Sequence, residues 1–195
     1  MIASPPLADD MERIEAEYVR WNMVCALPPR TDGDAPAHDA VVWGIHLGNI
    51  DFDRELDAEV VIRVFFYITI KLSLDPRAQR AGVIIVEDFA SAGFFQLMSL
   101  MPSSVKDKMN GLTHGATAVR IHQVHLLNTP WWMKALFKIM ALFLSAKIRS
   151  RFVSHSSYSA LYAVVPEQRV PSFLDQRASA PMNDILFGDR VLLKQ

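Results

Sequence analysis

The chain has 195 residues, 51% of them apolar, with a formal net charge of −1. That is enough sequence for one domain with a sizeable core, and nothing in the total charge points to nucleic acid. A single cysteine, Cys25, excludes an internal disulfide and a thiolate metal cluster, and no basic start followed by an apolar run marks a secretion signal, so a reducing, cytoplasmic setting is expected.

The charge is unevenly spread. Residues 1–60 hold 13 acidic and 4 basic residues, whereas residues 118–169 hold 7 basic and 1 acidic. Such a chain can present a basic face to an anionic surface, or simply a solvated one. Residues 1–40 read as a short helical and loop segment, with an acidic helix around Asp10 to Met23 closed by Pro28-Pro29. From Val41 the pattern changes to strands alternating with helices. Val41–Leu47 is a short apolar run, and Ala58–Leu74 is long enough for a helix despite its β-branched residues, with Asp75-Pro76 as its stop. Gly82–Val86 is continuously apolar, as a buried parallel strand should be. Helical material follows from Phe94 to about Leu112. A strand spans Ala118–Leu127, a helical region spans 131–150 with a break near Leu144-Ser145, and a short strand spans Arg151–Ser154. A helix over Ser157–Val164 completes the pattern. This alternation predicts an α/β fold, a mostly parallel sheet flanked by helices. Residues 177–195 are weakly patterned and read as a tail.

Residues 131–148, WWMKALFKIMALFLSAKI, carry Lys134, Lys138 and Lys147, which argues against a membrane span of about 20 uncharged residues. Trp132, Leu136, Ile139, Met140 and Phe143 instead recur at helical spacing, and further apolar residues flank this stripe. The helix can close over an apolar cavity or lie in a membrane interface with its lysines toward head groups; a core helix with snorkelling lysines has the same pattern.

Several chemistries lack their motifs. There is no GxGxxG after a strand, no GxxxxGK[ST] and no GxSxG. His122 and His125 sit at odd spacing on one strand, which strict alternation would place on opposite faces. Glu87-Asp88 ends the clearest strand, the usual place for α/β sites, yet two adjacent carboxylates alone do not specify acid–base chemistry. No enzymatic reaction, metal or cofactor is expected.

A linked series of elements carries a resemblance. GVIIVEDF at 82–89 is followed by Met101-Pro102-Ser103-Ser104, then by a strand reading His125 to Pro130. Phe143-Leu144 to Arg151 and then His155 come next. Taken in this order, residues 41–176 resemble the CRAL-TRIO lipid-binding domain family. Two departures stand out. About 40 residues precede the domain where relatives usually have a full helical module, and the domain-ending LPxxxGG is replaced by Val170–Gln176, with neither glycine present.

The resemblance implies an apolar cavity between a sheet floor and helices, closed by an amphipathic gate helix, and a bound hydrophobic molecule of retinoid, tocopherol, carotenoid or phospholipid class. The pocket residues it implies are Ile62, Phe65 and Thr69 on the long helix, Ile85, Glu87, Ile121 and Val124 on strands, and Leu136, Phe137, Met140 and Leu144 on the gate. A retinaldehyde-binding member has a similar strand with its glutamate toward the ligand, and a carboxyl group in such a cavity should have a raised pKa. Arg120, His122, Lys147 and Arg151 fall on positions that are basic in a tocopherol-binding member and hold a phosphoinositide head group. Because His122 stands in for an arginine, the implied binding is weaker or pH-dependent. The expected partners are thus a small hydrophobic ligand and an anionic membrane surface, with peripheral association. The alternative is a non-catalytic interaction or scaffold module of the same fold, its cavity filled by side chains.

Overall fold

Gly82 sets the start of the central strand. Its φ of +77° suits glycine, and a Cβ there would stand 2.7 Å from the Arg120 carbonyl oxygen. The computed structural model describes residues 13–14, 16, 24–26, 40–50, 58–95, 119–140 and 146–170, and within these the side chains of Ile62, Leu136, Ile139 and Met140 are not among those described. Around Gly82 three chain segments are joined by backbone hydrogen bonds: Gly82 N–H donates to Ala78, Val41 N–H to Gly82, and Val83 N–H to Arg120.

The sheet has five strands in sequential order: β1 (Val24–Ala26), β2 (Val41–His46), β3 (Val83–Asp88), β4 (Ile121–Leu127) and β5 (Phe152–Ser154). Strands β2 to β5 are mutually parallel, and β1 pairs antiparallel with β2 on the edge. The α/β expectation therefore holds. β1 is a difference, because it lies in the stretch read from sequence as helix and loop and belongs to the main sheet.

Between the strands lie α1 (Ala58–Leu74), α2 (Pro76–Ala81), α3 (Trp131–Met140), α4 (Ala146–Arg149) and α5 (Tyr158–Tyr162). Helix α1 forms in spite of its β-branched residues because Val60, Val61, Val64, Ile68 and Leu72 make one buried stripe. Asp75-Pro76 ends α1 as expected but also starts α2. The Asp75 carboxylate accepts the Ala78 N–H, an N-cap, and Pro76 takes the first helical position, where no N–H is needed. Ser157 caps α5 in the same manner through Ala160 N–H.

Period-two alternation gives the sheet two buried faces. Val41, Trp43, Ile45, Val83, Ile85, Val124 and Leu126 pack with α1 and Met133 of α3. On the other face Val42, Val86 and Leu127 pack with Leu161, Val165 and Val170. Burial at about 25 cal/mol per Å² drives both layers. Arg169, buried behind the second layer, donates to the Ala40 carbonyl and ties that end of the chain to the start of β2.

One expectation needs correction. The register between β3 and β4 shifts between Val83, which faces Ile121, and Ile84, which faces Gln123. Ile121 and Val124 consequently pack against the same core layer, so strict alternation fails across 121–124. The argument that His122 and His125 must point to opposite faces does not survive this bulge. Among the described residues, no group of three or more His, Cys, Asp or Glu side chains could hold a metal ion.

Candidate functional site

The face of the sheet under α1 and α3 gathers much of the implied pocket. Ile85 and Val124 are buried in its core layer, and Phe65, Ile121 and Phe137 are half-buried against it. The rings of Trp43 and Phe65 lie 5.6 Å apart, and those of Phe137 and Phe152 lie 5.8 Å apart. Thr69 is half-buried, but its hydroxyl donates to the Phe65 carbonyl one turn back, so it serves its own helix. The side chains of Ile62, Leu136 and Met140, and Leu144 altogether, lie outside the described residues.

Glu87 stands on this same apolar face, in register between Ile45 of β2 and Leu126 of β4. Burial pushes its carboxyl up to about 7, with no compensating cation or donor among the causes. One rung away on β2, Trp43 carries a buried indole N–H that has no hydrogen-bond partner. An apolar wall therefore holds a buried, unpartnered indole N–H and, close by, a half-buried carboxyl group whose proton is retained by desolvation. Buried groups of this kind are ordinarily satisfied by protein, water or ligand. The tryptophan was not singled out from sequence, because an indole inside an apolar strand reads as core.

Asp88, the next residue, faces the other way and is 2% exposed. Its Oδ1 accepts the Ala90 N–H at 2.8 Å and the Asn128 side-chain amide at 2.7 Å. Its Oδ2 accepts the Tyr158 hydroxyl at 2.6 Å, and His46 Nε2 stands 3.9 Å away. Each of these hydrogen bonds uses the carboxylate as acceptor, so Asp88 ties three chain segments together. Two residues near it have left-handed backbones, Ser91 at φ +62° and Asn128 at φ +50°. Glu87 and Asp88 thus serve opposite faces of the sheet.

A second polar pair joins β4 to the residue that follows β5. His125 Nδ1 and His155 Nε2 are 2.8 Å apart, so one ring donates and the other accepts. Burial, then the neighbouring His155, lowers the His125 pKa to about 4; burial also lowers that of His155, partly offset by a hydrogen bond that its ring makes to the Ala160 backbone. His125 Nε2 is buried without a partner.

The four basic residues implied for head-group binding lie on β4 and on the segments that lead into β4 and β5. Arg120 immediately precedes β4 and Arg151 immediately precedes β5, whose first register partner is Val124, and Lys147 lies on α4. Arg120 and Lys147 are exposed, and Arg151 is half-buried. His122 has a different attachment, its Nε2 lying 2.8 Å from the Ala81 carbonyl oxygen, so this nitrogen donates inward. At the other end of the sheet, Phe94, Phe95 and Trp131 are exposed, the last two by 84% and 80%. Phe94 packs edge-on against both Phe95 and Trp132, at 5.4 and 5.0 Å. The sequence contains this patch but does not reveal its exposure.

No helix among the described residues is long and apolar enough to cross a membrane. Among solved proteins, the crystal structure of Sfh5 is similar in fold, with a TM-score of 0.52 and 12% identity over 78% of this chain and 52% of that one. Clavesin-1 of Rattus norvegicus is 28% identical over 125 residues, 64% of this chain and 35% of that protein. Clavesin-2 of Homo sapiens is 29% identical over 99 residues, 50% of this chain and 30% of that protein. The chain spans about a third of the length of these curated relatives. The family model of the CRAL/TRIO domain matches residues 37–175, most of the chain and all four parallel strands β2 to β5, and the chain belongs to the CRAL/TRIO domain family.

Proposed function

We propose that this domain binds one hydrophobic molecule on the α1/α3 face of its sheet and exchanges it at a membrane surface, without catalysing a reaction. Family membership supports the general part, lipid binding and transfer. The observation that carries the finer part is the unpartnered Trp43 indole N–H beside the desolvated, half-buried Glu87 carboxyl group, both set in an otherwise apolar wall. A ligand with a long apolar body and a small polar end fits that wall. Below pH 7 both groups can donate, which favours a hydroxyl, carbonyl or ester end over a free carboxylate. Removing the apolar body from water, at about 25 cal/mol per Å², supplies most of the affinity. Retinoid, tocopherol, carotenoid and phospholipid classes all meet the description.

Helix α3 is the gate in this reading. Its Met133 is buried on the sheet while Lys134, Lys138 and Trp131 face outward. Two separate features are available for docking: the exposed aromatic patch for a membrane interface, and, toward the other end of the strands, Arg120, Lys147 and Arg151 for an anionic head group such as a phosphoinositide. His122 contributes least, because its donating nitrogen is engaged by Ala81.

Native mass spectrometry of the purified protein, with organic extraction of what it carries, tests the carrier reading. One hydrophobic molecule per chain is expected. A protein that carries none and takes up no retinoid, tocopherol or phospholipid would make this a scaffold module with a filled core. For docking, Arg120→Ala with Lys147→Ala should weaken binding to phosphoinositide vesicles about thirty-fold at low salt, about 1 kcal/mol per basic residue near the surface. Unchanged binding would remove the head-group site.

A further inference from the structure

We propose that Asp88 is a positioning residue for α3, and that its hydrogen bond to Asn128 sets how readily this helix lifts from the sheet. The proposal rests on the carrier reading for its functional meaning, but its structural part stands separately. The chain leaves the sheet for α3 through residues 128–130 and returns through β5 to α5. A single buried carboxylate holds both sides of that excursion, Asn128 before it and Tyr158 after it.

The joint at Asn128 is poised. Its backbone is left-handed at φ +50°, a region that asparagine tolerates and that most residues avoid. The side-chain amide that reaches Asp88 is therefore the local tie that keeps this turn in place ahead of Trp131. The same Oδ1 accepts Ala90 N–H and so fixes the turn after β3 that leads to Ser91 and the exposed Phe94 and Phe95. Phe94 in turn packs on Trp132 of α3. One oxygen thus organises both chain segments that meet at the root of α3. Glu87 lies one residue away on the opposite face, so anything that shifts the end of β3 from the ligand side also moves the Asp88 carboxylate.

Asn128→Gly isolates the tie, since glycine accepts the left-handed backbone without strain but has no amide to donate. Amide hydrogen exchange of the ligand-free chain should accelerate about ten-fold across residues 131–140, the scale of one lost hydrogen bond to a carboxylate, with β3 unchanged. Val165→Ala, which opens a gap in the opposite core layer, serves as the comparison for a purely structural loss and should not single out α3. Wild-type exchange across 131–140 in Asn128→Gly, or acceleration spread evenly over β3 and α3, would overturn the proposal. Release of fluorescent nitrobenzoxadiazole-phosphatidylcholine to acceptor vesicles should also speed several-fold in Asn128→Gly, with equilibrium loading little changed. If the wild-type chain never loads this lipid or the other ligand classes, the carrier reading fails, while hydrogen exchange still decides the role of Asp88.

Discussion

At Glu87 and Asp88, two neighbouring carboxyl groups have opposite surroundings because a strand sends successive side chains to opposite faces. Asp88 meets three donors, and Glu87 meets apolar residues. The Glu87 pKa of about 7 against an ordinary 4.5 means that the folded chain holds a proton that the unfolded chain has released between those values. Stability is thus intact below pH 4.5 and falls as the pH rises to 7, by about 3 kcal/mol in all as an upper figure. Glu87→Gln keeps the shape and removes the titration. Unfolding free energies from urea titration should match wild type near pH 4.5 and exceed it by about 2–3 kcal/mol at pH 8. An equal gap at both pH values would show that the carboxyl group is not buried as described. The position of Glu87 at a strand end was legible in the sequence, because the apolar run before it is unambiguous. The isolation of the carboxyl group was not, because it depends on Ile45 and Leu126, each about 40 residues away in sequence.

Helix α3 shows what an element's pattern can and cannot convey. Its amphipathic spacing was legible, yet spacing does not say which aromatic residues remain outside. Trp131, beside the half-buried Trp132, projects from the fold with Phe95. If these two enter a bilayer interface, about 100 Å² of newly covered surface on each is worth about 2.5 kcal/mol. Phe95→Ser with Trp131→Ser should then weaken vesicle binding at least about ten-fold on neutral and anionic lipid alike. The Arg120 and Lys147 substitutions should act only on anionic vesicles and lose their effect at high salt. Liposome sedimentation across the two lipid compositions separates these contributions, and unchanged binding to neutral vesicles in the aromatic variant would take the patch out of docking. The other elements were legible to the degree that their signals are local. Helix α1 was found with its bounds from length and stop signal, whereas β1 was missed because three residues beside a proline pair have no period to read. The β3–β4 bulge was missed as well, since a register shift is a property of two strands and leaves no mark on either.

Across the whole molecule, Glu87 and the His125–His155 pair act on stability in opposite directions. His125 is lowered to about 4 from 6.5, so its contribution is intact above pH 6.5 and lost as the pH falls toward 4. Physically, two imidazoles 2.8 Å apart can share a hydrogen bond only while one of the facing nitrogens lacks a proton, and the His155 N–H to Leu126 carbonyl bond that anchors the end of β5 is adjacent. Between pH 4.5 and 6.5 the gain at Glu87 on acidification offsets the loss at His125, each by up to about 3 kcal/mol. From these two sites the wild-type chain should show a shallow stability profile over that window. Glu87→Gln should expose the histidine contribution, so that the urea midpoint drops as the pH falls from 6.5 to 4.5. His125→Asn, which keeps a hydrogen-bonding atom near the Nδ1 position but cannot titrate, should have the reverse slope, and the double variant should be nearly flat again. Two single variants with the same slope would sink this account of opposed buried groups on the two faces of one sheet. Opposite slopes that cancel in the double variant would establish that the carboxyl group on the α1/α3 face and the histidine pair behind it are balanced in the native fold.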